Sequence, residues 1–252
     1  GVLTYAQGFG EFIKLKIENM QEQHNQLIAD KPVEAPRLKY AIVAVSVGEG
    51  LSKMFKDLRV THIVSGGQTM NPSTEWQIKE LNAENVIILP NNSNIVMAAN
   101  QACQVVENCH CVVIPTKTIS QGLTSCMMFN PDADLETNIQ EMTEAISRVK
   151  SGQVTYSIKS TNIDGVEIKE NDFMGISEKK IVCAHESRFE VCKELLDKMV
   201  DEDSAIATII IGEGGTMEEA EEISQYISDK YGVDVEIYEG GQPVYSYLLS
   251  VE

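Results

Sequence analysis

From residue 39 onward the chain alternates between short β-rich apolar runs and stretches with helical spacing. "YAIVAVSV" (40–47) is apolar almost without a break, which predicts a strand covered on both faces. "GEGLSKMFKDL" then reads as a helix, "VTHIVSG" as a strand and "NPSTEWQIKELN" as a helix. "NVIILP", "NIVMAANQACQVVE" and "CHCVVIP" continue as strand, helix and strand, and a helix over 132–150 closes this half. Strands alternating with helices require a mostly parallel sheet flanked by helix layers. The rhythm breaks over 153–180, where apolar and polar residues alternate around Asp164-Gly165, a hairpin signal. It resumes with "KIVCAH", "FEVCKELLDKMVD", "IATIIIG", "MEEAEEISQYISDKYG" and "DVEIYEGG", and ends in the strand-like "VYSYLLSVE".

An internal echo ties the two halves together. "IVSGGQTMNPSTE" can be laid against "IIIGEGGTMEEAEE", so that Thr69-Met70 falls on Thr216-Met217. In both places a strand feeds a glycine pair, Thr-Met and a helix. The expected fold is therefore α/β with two related lobes, 38–150 and 151–252, the second carrying the hairpin. Before them, Phe12, Ile13, Leu15, Ile17, Met20 and Leu27 have mostly helical spacing, and "KPVEAPR" breaks the pattern with two prolines. Residues 1–37 thus read as the trailing helix and linker of an upstream unit. The chain lacks an initiator Met, which fits a fragment or processed form.

Charge narrows the partners. With 20 basic and 38 acidic residues the net charge is −18, so phosphate backbones and anionic lipid repel the chain. No apolar run approaches the roughly 20 residues of a membrane span, and the start lacks a signal-peptide pattern. A cytoplasmic location is expected. Six cysteines lie in apolar surroundings, densest at Cys109-His110-Cys111. In a strand His110 faces away from its neighbours, so this cluster reads as buried thiols in a reducing compartment, with no metal expected.

Parallel α/β sheets bind ligands outside the carboxyl ends of their strands. The candidate loops are 47–50, 66–74, 91–94, 116–122, 185–187, 212–216 and 239–242. The segment 66–74 is the richest. Gly66 and Gly67 let the backbone turn and expose N–H groups, and a helix start there would attract a carboxylate or phosphate. Thr69, Ser73 and Thr74 add hydroxyl donors. Equally, Asn71 could cap the helix with Pro72 in its first position and no ligand at all. Asn92 and Ser93 form a second polar wall or a solvated turn. "VGEG" (47–50) and "GEGGT" (212–216) match neither nucleotide-binding signature, and Glu49 and Glu213 stand where a phosphate would sit, so both read as turns. His185, beside Glu186 and Arg188, could serve as a base or covalent carrier, but no Ser or Cys nucleophile signature accompanies it.

Nearly the whole chain resembles the C-terminal region of the bacterial fatty acid kinase A protein, which is dihydroxyacetone-kinase-like and has a DegV-like (EDD-type) part. The resemblance rests on "VSVGEGL" (45–51), "VSGGQTMNPSTE" (64–75), "ILPNNSNI" and the ending "GGQPVYSYLLSVE" (240–252). It implies a DegV-like fold and places the ATP- and Mg-dependent kinase domain, which makes an acyl phosphate, and the middle domain outside this chain. DegV-type lipid binders hold the fatty acid carboxylate with a T-S-x-P-S motif. "TMNPS" (69–73) matches at Thr69, Pro72 and Ser73, with Met70 in place of the serine. Where the family's partners carry Ser-Gly-Thr, this sequence has Asn92, Ser93 and Asn94.

The resemblance implies a region without catalytic residues, cofactor or metal of its own, which recognises an acyl-loaded DegV-type partner alongside the upstream kinase and middle domains. A homodimer is left open. The alternative is a fatty acid or small-carboxylate binding module using the cleft between lobes through Gly66, Gly67, Thr69, Asn71, Ser73, Asn92 and Ser93. A third reading makes His185 a substrate-holding residue of an enzyme in its own right.

Overall fold

The computed structural model describes residues 36–65 and 81–252. The expected helix over 9–30 lies outside the described residues, as does the one over 71–82 up to residue 80; Leu81 and Asn82 are not helical. From Leu38 to Glu252 the chain forms one compact unit.

A first sheet contains β1 (Leu38–Val45), β2 (His62–Val64), β3 (Ala83–Leu89) and β4 (His110–Val113) in the order β2-β1-β3-β4, and every pairing is parallel. Its described helices are α1 (Glu49–Asp57), α2 (Val96–Gln104), α3 (Ile119–Met127) and α4 (Leu135–Ile146). Residues 41–45 of β1 are all buried, as the unbroken apolar run requires. The expected helix over 132–150 is shorter, because Asp134 caps it by accepting from the Thr137 N–H and β5 begins at Lys150.

A second sheet contains β5 (Lys150–Tyr156), β8 (Phe173–Ser177), β9 (Lys180–His185), β10 (Ile206–Ile211), β11 (Asp234–Glu239) and β12 (Tyr247–Val251), ordered β11-β10-β12-β5-β8-β9. Only β10 and β11 pair in parallel; β12 is antiparallel to both β10 and β5. The connection from β11 to β12 is too short for the crossover that a parallel return needs, so the last strand reverses. Helices α5 (Arg188–Met199) and α6 (Met217–Tyr231) pack against this sheet. Between β5 and β8, the hairpin of β6 (Thr161–Ile163) and β7 (Val166–Ile168) turns at Asp164 and Gly165, with φ of 55° and 83°. Positive φ at both central positions is the turn that matches strand twist.

The sheets share a core: Ile210 and Leu248 of the second pack with Ile42 and Ile87 of the first and with Leu51 and Phe55 of α1. That shared core brings the carboxyl ends of β1, β3 and β4 against the second sheet.

Candidate functional site

A cavity of about 770 Å³ opens where the first sheet's strand ends meet the second sheet. Ser46 and Val47 follow β1, Asn91, Asn92, Ser93 and Asn94 follow β3, and Lys117 and Thr118 follow β4. The opposite wall comes from Ser151 and Gln153 of β5, Glu178 and Lys179 of the β8–β9 turn, and Gln242 to Tyr245 before β12. Leu51, Ile95, Ile119, Ile176 and Leu248 supply apolar surface.

The loops are fixed by side-chain hydrogen bonds. Asn91 has φ 54°; its backbone N–H donates to Thr116 Oγ1 at 3.0 Å, and its Nδ2 donates to the Val45 carbonyl at 3.0 Å. Its side chain fits only because residue 122 is glycine, where a Cβ would stand 2.1 Å from Asn91 Oδ1. Asn92 Oδ1 accepts from the Asn94 N–H at 2.9 Å, closing the turn that leads into α2. Thr118 caps α3 by accepting from the Gln121 N–H, and its hydroxyl also meets Ser151 Oγ at 2.8 Å, joining the two walls. The N-terminal ends of α2 and α3 therefore both face the cavity, where their backbone dipoles favour negative charge.

Three buried polar atoms on the lining have no hydrogen-bond partner among the described residues: Ser46 Oγ, Asn91 Oδ1 and Gln242 Oε1. Ser46 is 2% exposed. A buried polar atom without a partner is costly, so such atoms mark places where another group could be received.

Asn92 and Ser93 line the cavity. Gly66, Gly67, Thr69, Asn71 and Ser73 lie outside the described residues. The "VGEG" and "GEGGT" loops act as turns: Gly48 and Gly50 press against the backbone of 239–242, and Thr216 caps α6 by accepting from the Glu219 N–H. His185 stands at the end of edge strand β9, away from the cavity lining, with Nε2 2.6 Å from Glu194 Oε2. Lys198 also donates to Glu194, at 2.7 Å, so the histidine belongs to a surface ion-pair cluster.

The Cys109–Cys111 region differs from the expected set of reduced thiols. Cys111 is disulfide-bonded to Cys103 on α2, with Cα atoms 5.1 Å apart. Among the described residues no group of three His, Cys, Asp or Glu side chains is placed to hold a metal ion. No helix among them is long and apolar enough to cross a membrane.

Comparison with known proteins decides the family. The family of C-terminal regions of fatty acid kinase A-like proteins matches residues 41–252. The chain belongs to that family. Protein YloV of Bacillus subtilis is 49% identical over 261 residues, covering 100% of this chain and 47% of that protein. The fatty acid kinase A-like chain thus spans about half the length of that relative. Among solved structures, the DegV family protein Cg2579 of Corynebacterium glutamicum aligns with a TM-score of 0.61 at 14% identity, over 85% of this chain and 96% of that one. The Streptococcus pneumoniae fatty acid kinase B3 protein, loaded with linoleic acid, aligns with a TM-score of 0.55 at 9% identity, over 85% and 99%. At such identities these two show the fold alone, DegV-like α/β; the relation to fatty acid kinases rests on the family match over 41–252.

Proposed function

We propose that this chain is a non-catalytic region of a fatty acid kinase that recognises an acyl-loaded, DegV-type fatty acid-binding protein. It holds that protein while the fatty acid carboxylate is phosphorylated elsewhere in the kinase. In this reading ATP and Mg²⁺ belong to parts of the kinase outside this chain, the compartment is the cytoplasm and the process is lipid metabolism, supplying phospholipid synthesis. The observation that carries it is the family match over 41–252 combined with a fold shared with a fatty acid-loaded kinase B protein. Exposed apolar side chains on the cavity lip, Val47 and Val244, offer contact area for such a partner. Isothermal titration of the chain with a DegV-type fatty acid-binding protein, acyl-loaded and delipidated, tests this. Tighter binding of the loaded form is expected, and no heat from either form would sink the proposal.

A second reading makes the cavity itself a site for a fatty acid or small carboxylate. Its volume is in the range of small-molecule sites, and the unpartnered Ser46 hydroxyl offers a donor. Native mass spectrometry of the purified chain should then show an added mass of fatty acid size. A bare protein mass, unchanged after incubation with long-chain carboxylates, would reject it.

A further inference from the structure

Resting on this second reading, we infer that Lys117 and Lys179 form a cationic latch across the cavity mouth. The latch holds the carboxylate or phosphate head of an amphiphile whose chain lies against Leu51, Ile95, Ile119, Ile176 and Leu248. This head site is built entirely from described residues and differs from the hydroxyl set at 69–73 that the sequence singles out.

Charge is the first support. The lining carries two cations, Lys117 and Lys179, and one carboxylate, Glu178, in a chain whose net charge is −18. Neither ammonium is in an ion pair among the described residues. Lys117 immediately precedes the cap of α3, so its charge adds to a helix N-terminus that already favours anions. Lys179 reaches the same cavity from the second sheet, giving a lysine on each wall.

Backbone strain is the second support. Glu178 and Lys179 have φ of 48° and 69°, at the two central positions of a tight hairpin where Asn-Gly is the favoured pair. Of seven non-glycine residues with positive φ among those described, four line the cavity: Asn91, Glu178, Lys179 and Val244. Strained residues persist only where the surrounding structure over-determines them, and they cluster at active sites and ligand clamps. Lysine stands at 179 where glycine would be easier, which fits a use for its charge.

The test is titration of the chain with decanoate, decyl phosphate and decan-1-ol at low and high salt. Both anions should bind at least about tenfold tighter than the alcohol, and salt should erode that advantage. Lys179→Gly keeps the turn, since glycine accepts this φ. It should lose about tenfold in anion affinity with unchanged alcohol affinity, and its thermal stability should be equal or higher. Lys117→Gln should lose anion affinity likewise, while Lys159→Gln, away from the lining, should not. The tighter of the two anions identifies the head. Undiminished anion binding in Lys179→Gly and Lys117→Gln, with alcohol still bound, overturns the latch and leaves the cavity reading standing. Binding of no probe overturns both.

Discussion

Gly50 stands so close to Glu239 that a Cβ on it would lie 1.8 Å from the Glu239 carbonyl oxygen. Both groups are backbone, so neither can swing aside. The neighbouring Leu51 N–H donates to the Gly240 carbonyl at 3.0 Å, which docks the start of α1 onto the end of β11. This contact joins the first sheet's helix to the second sheet, and it gives the glycines of "VGEG" a packing role.

Gly50→Ala should therefore separate the two sheets' contact. Overpacking ordinarily costs about 1–3 kcal/mol, and a clash between backbone groups belongs at or above the upper end. The gain in helix propensity, about 1 kcal/mol, does not offset it. Urea unfolding should show a loss of about 2 kcal/mol or more; unchanged stability would mean that this approach is not tight in solution.

Sequence periodicity carried most of the architecture, for a physical reason visible in β1. A strand with two buried faces must be apolar throughout, so 41–45 announce themselves. The hairpin at Asp164-Gly165 is equally local, since the turn residues themselves demand positive φ. The site was less legible. Ser151, Gln153 and Lys179 come from antiparallel strands and a turn of the second sheet, and alternation tells which face a residue takes but not which wall it meets. The pairing of Cys103 with Cys111 was hidden for the same reason: the two sit on successive elements, and the dense Cys109-His110-Cys111 cluster points to the wrong neighbours.

Tyr247 provides a second stability test. Its ring is fully buried, and its hydroxyl accepts from the Thr216 N–H at 3.0 Å and donates toward Glu219 Oε2 at 2.7 Å. Arg188 pairs with the same Glu219 oxygen at 2.6 Å. Tyr247→Phe leaves the Thr216 N–H without its partner and should cost about 1–3 kcal/mol by denaturant unfolding. Burial is the main cause that pushes the Tyr247 hydroxyl up to about 12, with the nearby Glu219 carboxylate adding to it. The unfolded tyrosine ionises near 10, so the folded state holds the extra proton between those values and stability falls as pH rises through them. The variant should lose that part of the alkaline slope.

Thiol labelling separates the cysteines. Burial pushes the Cys126 thiol up to about 12 and Cys183 to about 11, and it raises Cys192 as well. Thiolate is the reactive species, so N-ethylmaleimide at pH 7.5 should leave these three unmodified in the folded chain. Cys109, half-buried and outside the disulfide, should label first. Cys103 and Cys111 should label only after a dithiol reductant is added. Peptide mapping checks each site, and rapid labelling of Cys192 without denaturant would contradict the packing of α5.

Asp197 ties α5 to α6 and sets an acid limit on that tie. Its carboxylate accepts from Tyr226 at 3.0 Å, Tyr231 at 2.9 Å and Lys230 at 2.8 Å. Burial alone would raise its pKa, but the hydrogen bonds from Lys230, Tyr231 and Tyr226 outweigh it and hold the carboxyl below the usual range. A carboxyl depressed in the folded state contributes stability above its unfolded pKa, near 4, and loses it as pH falls through the lower folded value. Asp197→Asn keeps the shape and removes the charge, so the loss at neutral pH should be about 1 kcal/mol, because the site is partly solvated. Below pH 4 the difference between variant and wild type should shrink toward zero. Chemical unfolding at pH 7 and pH 3 measures both, and a difference that persisted unchanged at pH 3 would mean that the carboxylate charge is not what holds the two helices together.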